Sequence, residues 1–212
     1  MLALSWNIRR LKKLGIIASF GHSNANYSET KKGIEAGISH ATHLFNAMNP
    51  IHHREPGPIP AILEDRQATV QIIADGVHLS GPVIKMCYQL FSADRIICIT
   101  DGIQAIGLPE GRYFYNGREF ESKNGAARYL DGTLIGTAIS LNKIVKRFKK
   151  FTGCSLAEAI NTVTINPAKL LKIGDKKGSI EEGKDADIII LDENFDVSTT
   201  IINGKIVYAK QS

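Results

Sequence analysis

Residues 16–24 read IIASFGHSN and show the pattern on which the fold is built. The run from Ile16 to Phe20 is short and largely apolar, so it predicts a buried β-strand rather than a helix. Gly21 ends the run, and His22 follows at once. A short apolar run that leads directly into polar side chains recurs further along the chain.

Three more strands are predicted from this pattern, at Ile38 to Leu44 with His43 near its end, at Ala68 to Ala74 before Asp75 and His78, and at Arg95 to Thr100 before Asp101. Helices are predicted between them at 4–14, at 28–36 with Ser28 as the cap, and at 82–91. Strands that alternate with helices and lack a polar face indicate a parallel sheet covered on both sides, hence an α/β fold.

The carboxyl ends of parallel strands converge on one mouth, where active sites of α/β proteins are built. His22, His43, His78 and Asp101 all stand at such ends. One histidine there is usually an ordinary hydrogen-bonded residue, but several at successive ends favour a metal site with a carboxylate nearby. His40 points to the opposite face from His43 on a strand, so we expect His43 to be the ligand. His52 and His53 are expected in an exposed loop.

The remaining segments do not follow the regular alternation of strands and helices. A loop is expected from Met48 to Pro60. Three Asx-Gly pairs predict a β excursion over residues 111–135. Helices are expected at 137–151, 156–164 and 167–171, and a β tail at 186–208 with a hairpin at Asn203-Gly204.

Composition narrows the classes of protein. The chain has 212 residues, a net charge of +5 and no apolar run of membrane-spanning length, so no membrane partner is expected. The densest basic run, at 146–150, fits the polar face of a helix better than a nucleic-acid patch, so no nucleic acid is expected. Three scattered cysteines predict buried thiols and a cytoplasmic location.

Several motifs together resemble those of N-acetylglucosamine-6-phosphate deacetylase, of the amidohydrolase superfamily. They are GHSNA at 21–25, THLFNAM at 42–48, REPG at 54–57, ADGVH at 74–78, TD at 100–101, DGTLIG at 131–136, NPA at 166–168 and GSIEEGKDAD at 178–187. The last of these is typical of the whole superfamily, whereas the central motifs are specific to the deacetylase. The resemblance extends over essentially the whole chain.

The resemblance implies the C-terminal part of a (β/α)₈ barrel over residues 1–175, followed by strands of a small β-sandwich domain over 176–212. It implies metal-dependent hydrolysis of the acetamido group of N-acetylglucosamine 6-phosphate, in amino-sugar catabolism. His22 and His43 would bind a divalent metal, with zinc as the first choice and iron, manganese or cobalt as alternatives. Asp101 would be the catalytic acid/base. The substrate-binding residues would be Asn46, Ala47, Arg54, His78, Leu134, Ile135 and Gly136.

The chain departs from that family in length. A (β/α)₈ barrel takes about 250 residues, and only four βα strands are predicted here. The family's glutamate metal ligand and a further substrate histidine have no counterpart. We therefore expect open strand edges, exposed apolar faces, weak metal binding and little activity of this chain alone.

Alternative readings of function and assembly stay open at this point. Another amidohydrolase, such as a cyclic-amide hydrolase, is one, although the phosphate-binding pair Asn46 and Arg54 argues against it. A non-catalytic remnant that binds sugar phosphate is the other. The expected partners are a small sugar phosphate and either a second copy in a homodimer or a chain that carries the N-terminal half.

Overall fold

A computed structural model describes residues 2–211, with side chains from Ser5 to Gln211. Its first sheet is parallel, as predicted, and its strands lie in sequence order β1-β2-β3-β4. They are β1 (Ala18–Phe20), β2 (Ile38–Ala41), β3 (Thr69–Ile72) and β4 (Ile96–Cys98). Each is shorter than the predicted run: β1 begins two residues later than predicted, whereas β2, β3 and β4 end two or three residues earlier, where the loops of the mouth begin.

Helices cover one face of this sheet: α1 (Leu2–Lys13), α2 (Tyr27–Ala36), α3 (Pro58–Glu64) and α4 (Gly81–Phe91), with a 3₁₀ turn at Ala93–Arg95. Apolar side chains of the strands, such as Val70 and Ile96, are fully buried in one cluster with Ile62 of α3 and Ile84 of α4. Burial of a side chain of this size contributes roughly 1.5–3 kcal/mol. This layer holds the strands, and therefore the mouth, in place.

Two local predictions were wrong. Asn26, rather than Ser28, caps α2: its side chain accepts from the Glu29 N–H at 2.9 Å while Glu29 accepts from the Asn26 N–H, which forms a capping box. The predicted loop 48–60 ends early, because Pro58 opens helix α3. Proline tolerates the first turn of a helix, where its missing N–H has no intrahelical partner.

The other face of the sheet is largely polar, which corrects the expectation of an exposed apolar face here. Ser19, His40 and Thr69 lie in register across β1, β2 and β3. Gln71, two residues after Thr69 on the same face of β3, pairs with the apolar Ile97 of β4. This face of the sheet therefore carries hydrogen-bonding groups, of which Ser19 is exposed and His40 is buried.

The outer edge of β4 is capped by this chain itself. The Cys98 N–H donates to the Thr162 carbonyl at 3.1 Å. The buried side-chain amide of Asn166 donates to the carbonyls of Ile96 at 2.8 Å and Ala93 at 2.7 Å. The NPA motif is thereby explained as a structural cap. Among the described residues no strand pairs with the outer edge of β1, so that edge is open as expected.

A second sheet confirms the predicted β excursion. It is an antiparallel meander of β5 (Gly111–Tyr115), β6 (Arg118–Lys123), β7 (Ala126–Tyr129) and β8 (Leu134–Thr137). Asn116-Gly117 and Asn124-Gly125 have positive φ at both positions, as type I′ hairpin turns require. Because β8 uses residues 134–137, the helix predicted from 137 begins later, at Leu141.

The chain ends with three helices and a third sheet. The helices are α5 (Leu141–Thr152), α6 (Leu156–Asn161) and α7 (Ile165–Leu170). The strands β9 (Ile188–Leu191), β10 (Val197–Ile202) and β11 (Lys205–Ala209) form an antiparallel sheet, with the predicted hairpin at Asn203-Gly204. The basic run lies on α5, where Phe148 is buried. Cys87, Cys98 and Cys154 are buried free thiols, as predicted. No described helix is long and apolar enough to cross a membrane.

Candidate active site

Backbone strain concentrates where the parallel strands end. His22, His43 and Asp101 have φ values of 44°, 29° and 48°. Phe45 and Ala47, in the loop after β2, also have positive φ. Residues other than glycine rarely adopt this region, and such outliers cluster at functional sites. The three residues predicted to carry the chemistry therefore share an unusual backbone conformation.

The structure brings His22 and His43 together. Their rings meet edge to face with centroids 4.6 Å apart. His22 is exposed, whereas His43 is only 6% exposed and its Nδ1 is buried without a hydrogen-bond partner. An unpartnered buried imidazole nitrogen is costly in a folded protein, and a metal ion is one group that would satisfy it. The pair fits two positions of a zinc-type site.

A third protein ligand is not found in the described part of the chain. No group of three or more His, Cys, Asp or Glu residues there could hold a metal ion. Structural and catalytic zinc sites use at least three protein ligands. The histidine pair is therefore an incomplete donor set by itself.

His40 is separate from this pair. Its Nδ1 lies 2.7 Å from the Thr69 hydroxyl in the neighbouring strand, and its Nε2 is buried without a partner. Burial lowers the pKa of His40 to about 4, so the ring is neutral near pH 7.

Asp101 is exposed, and β8 holds its backbone. The Asp101 carbonyl accepts from the Thr137 N–H at 3.1 Å, and the Thr137 hydroxyl donates to the Thr100 carbonyl at 2.7 Å. A Cβ at Gly136 would lie 2.7 Å from the Asp101 oxygen, so only glycine permits this approach. Gly136, predicted in the sugar pocket, thus contacts the strand end that carries Asp101.

The two other predicted pocket residues of β8 differ in setting. Leu134 is half-buried and pairs with Arg128 in the meander. Ile135 packs against the cluster of Phe120 and Ala127, inside the second sheet. Gly136 approaches the Asp101 backbone directly, whereas Ile135 packs in the cluster that also contains Ala105.

The loop after β2 carries Asn46 and Ala47 and is tied to the loop after β1. The Ala47 carbonyl accepts from the Ser23 N–H at 3.1 Å. The Asn46 side-chain amide donates to the carbonyl of His43 at 3.2 Å and to that of Leu44 at 3.3 Å. Asn46 therefore supports the backbone of the His43 turn in this conformation, close to the histidine pair.

Arg54 lies in the following loop and is exposed. Its guanidinium is 2.6 Å from His53 Nε2, and it forms no ion pair with Glu55 or any other described acidic residue. No contact joins it to the histidine pair, so the structure leaves its phosphate-binding role as a prediction.

His78 follows β3 together with a residue that the sequence reading did not single out, Asp75. The His78 Nδ1 lies 2.7 Å from the Asp75 carboxylate. The side chain of Asp75 is fully buried and that of His78 is 6% exposed. The signal was present in the ADGVH motif, where a carboxylate stands three residues before the histidine.

A family model described as the amidohydrolase family matches residues 7–207. The chain belongs to the amidohydrolase family. Among its amidohydrolase relatives, an N-acetylglucosamine-6-phosphate deacetylase of Bacillus subtilis is 39% identical over 95% of this chain and 51% of the relative. An N-acetylgalactosamine-6-phosphate deacetylase of Escherichia coli O157:H7 is 35% identical over 94% of this chain and 52% of the relative.

A solved amidohydrolase structure agrees with the fold. The N-acetylglucosamine-6-phosphate deacetylase of Thermotoga maritima is 37% identical, with a TM-score of 0.89 over 97% of this chain and 56% of that one. The parallel sheet is therefore part of a TIM-type barrel, and the C-terminal strands belong to a small β-sandwich, as predicted. The chain spans about half the length of the curated relatives it matches.

Proposed function

We propose that this chain is the part of an N-acetylglucosamine-6-phosphate deacetylase that carries two metal-binding histidines and the catalytic acid/base. The observation that carries the proposal is the contact of His22 with His43 at adjacent strand ends. Both residues share with Asp101 a positive φ, which is unusual for residues other than glycine. The reaction adds water across the acetamido C–N bond and yields glucosamine 6-phosphate and acetate.

His22 and His43 would hold a divalent metal. Zinc is the first choice, with iron, manganese or cobalt as alternatives. When bound, such an ion polarises the acetamido carbonyl and lowers the pKa of a water molecule. The third ligand would come from protein outside this chain, because none is found among the described residues.

Asp101 would take the proton of the attacking water and deliver it to the departing nitrogen. The hydrogen bonds from Thr137 to the backbone of residues 100–101 fix the backbone position from which the Asp101 side chain extends. A fixed starting position matters because proton transfer requires the carboxylate within hydrogen-bond reach of both atoms.

The sugar phosphate would be held by the loops around the mouth. Arg54 is exposed and without an acidic partner among the described residues, so its guanidinium is available for bidentate contact with phosphate. Asn46, Ala47 and His78 would contact the sugar, and Leu134, Ile135 and Gly136 would line the pocket.

The larger organisation is proposed on the same grounds. Residues 1–175 would form the barrel part and 176–212 the sandwich part of one cytoplasmic enzyme. The open edge of β1 is the place where the partner half, or in a homodimer another copy, could complete the assembly.

Complementation tests the proposal. The purified chain would be assayed with zinc alone, and after co-expression with the N-terminal half of the Bacillus subtilis relative. We expect no family-like turnover alone and release of acetate from N-acetylglucosamine 6-phosphate in the complex. Asp101→Asn in the complex is expected to lower kcat by a factor of roughly 10²–10⁴.

The controls separate the alternatives. N-acetylgalactosamine 6-phosphate tests the breadth of the substrate class, and Asp175→Asn, at an exposed position after α7 and away from the mouth, should leave turnover unchanged. Family-like turnover by the chain alone would show that it is not incomplete. A folded complex that binds metal but releases no acetate would contradict the deacetylase assignment. An empty metal site in the complex would support a non-catalytic remnant.

A further inference from the structure

Asp75 is a buried carboxylate at the end of β3 that the proposed reaction does not use. Its Oδ1 accepts from the backbone N–H groups of Val77 at 2.9 Å and His78 at 2.8 Å. Its Oδ2 faces the His78 Nδ1 at 2.7 Å. One carboxylate therefore accepts the hydrogen bonds that close the turn and also hydrogen-bonds the imidazole ring of His78.

The ionisation of Asp75 decides which nitrogen of His78 carries hydrogen. Burial raises the pKa of Asp75, but the hydrogen bonds from the His78 ring and the two backbone N–H groups outweigh it, and the pKa lies below its ordinary value. An ionised carboxylate only accepts hydrogen bonds, so the Nδ1 that faces it must be protonated. The neutral ring then has its lone pair on Nε2.

The turn around Asp75 is rigidly placed. Gly76 has a φ of 80°, and a Cβ there would come within 3.0 Å of the Phe151 ring. The Arg147 guanidinium donates to the Asp75 carbonyl from α5. Two residues of α5 thus support the backbone of this turn, and with it the orientation of the carboxylate and of the ring it holds.

We propose that Asp75 is a positioning residue: it locks His78 in the Nδ1–H tautomer and presents Nε2 as a hydrogen-bond acceptor for a hydroxyl group of the sugar phosphate. The choice of hydroxyl as the ligand group rests on the proposed function. The tautomer itself does not, because it follows from contacts within this chain.

Nitrogen NMR tests the tautomer without substrate. The full chain, labelled with ¹⁵N-histidine, would be recorded with long-range ¹H–¹⁵N correlation at alkaline pH, where imidazoles are neutral. His78→Gln assigns the His78 signals by their loss. In the unsubstituted chain we expect a protonated Nδ1 and an unprotonated Nε2. Asp75→Asn should lose this pure state, because an amide no longer requires a donor.

Asp131→Asn is the matched control. Asp131 also accepts a backbone bond in a turn, from the Thr133 N–H at 2.9 Å, but it is exposed and makes no contact with His78. It should leave the His78 signals unchanged. An Nε2–H tautomer in the unsubstituted chain would overturn the proposal even if Asp75→Asn failed to fold. So would a folded Asp75→Asn chain with unchanged signals. Failure of the deacetylation assay alone would leave the tautomer result standing.

Discussion

His22 illustrates at the residue scale how stability and chemistry compete at the mouth. Its φ of 44° costs about 1–2 kcal/mol for a residue with a Cβ. The cost is met by the surrounding structure, which ties the loops after β1 and β2 together through Ser23 and Ala47. Such strain persists where a side chain is needed at a fixed position.

Replacing this histidine with glycine should therefore stabilise the chain while removing a proposed metal ligand. We expect His22→Gly to raise the free energy of unfolding by about 1 kcal/mol, measured by urea denaturation with a chelator present. His53→Gly is the control, because His53 is exposed and has no positive φ, so it should give no gain. A loss of stability in His22→Gly larger than that in His53→Gly would show that the backbone conformation of His22 is not strained.

His40 gives a pH dependence with a definite sign. Burial lowers its pKa from 6.5 to about 4 in the folded chain, so the unfolded chain binds more protons between these values. Stability from the neutral ring is complete above pH 6.5 and is lost as the pH falls toward 4. By linkage the loss is on the order of 3 kcal/mol at most.

Unfolding free energies measured across this window check the effect. His40→Gln should flatten the slope between pH 4 and 6.5, whatever its effect on stability at neutral pH. His52→Gln, at an exposed position, should keep the slope. An unchanged slope in His40→Gln would assign the pH dependence to other groups.

At the scale of elements, the contact between β8 and the end of β4 connects the meander to the barrel. Gly136 lies on β8 with φ 149°, and a Cβ there would also approach Ile103 at 2.8 Å. The close approach lets Thr137 bond the backbone on both sides of Asp101. The meander thus supports the loop that carries Asp101, the proposed catalytic acid/base.

Gly136→Ala should break this support. We expect a loss of more than about 2 kcal/mol, because backbone strain and steric overlap add. Gly132→Ala is matched in φ sign, at 87°, but has nothing within 4 Å, so it should cost only the backbone term of about 1 kcal/mol. Thermal unfolding compares the two, and equal losses would contradict a tight contact at Gly136.

A turn, strand end or helix cap can be predicted from the sequence when neighbouring residues determine it. The hairpins at 116–117 and 203–204 were predictable, because Asn-Gly is chemically suited to positive φ at both positions. The early end of β2 was not, since Thr42 and His43 look like strand residues, and the positive φ of His43 is not visible in the sequence. Asn26 and Ser28 are both good caps, but only Asn26 has a glutamate three residues later, the capping-box spacing that the structure confirms.

At the scale of the whole molecule, the C-terminal sheet exposes several large apolar side chains, as does the barrel part at positions such as Leu14 and Ile16. Ile206 and Val207 are consecutive on β11, where the pairing with β10 shifts register, and they are 68% and 58% exposed. An apolar groove of about 960 Å³ also opens between α5–α7 and β9. Exposed apolar side chains on such a sheet form a surface prone to association.

The double substitution Ile206→Thr/Val207→Thr should reduce self-association of the chain. Threonine keeps the branched shape suited to a strand while removing apolar surface. Phe114→Thr, at a position 67% exposed on the second sheet, is the control for simple loss of an exposed apolar side chain. Sedimentation of the three chains at matched concentration decides: equal association of all three would exclude the C-terminal sheet as the cause.

The sequence by itself determined the alternation of strands and helices, the residues at the strand ends and the membership of the motifs in one family pattern. These depend on periodicity, turn chemistry and residue type, which act over a few neighbours. Tertiary structure alone decided that His22 meets His43, that Gly136 touches the Asp101 backbone and that Asp75 holds His78. Such contacts depend on the packing of strands and loops, and distances of this kind are not encoded in local propensity.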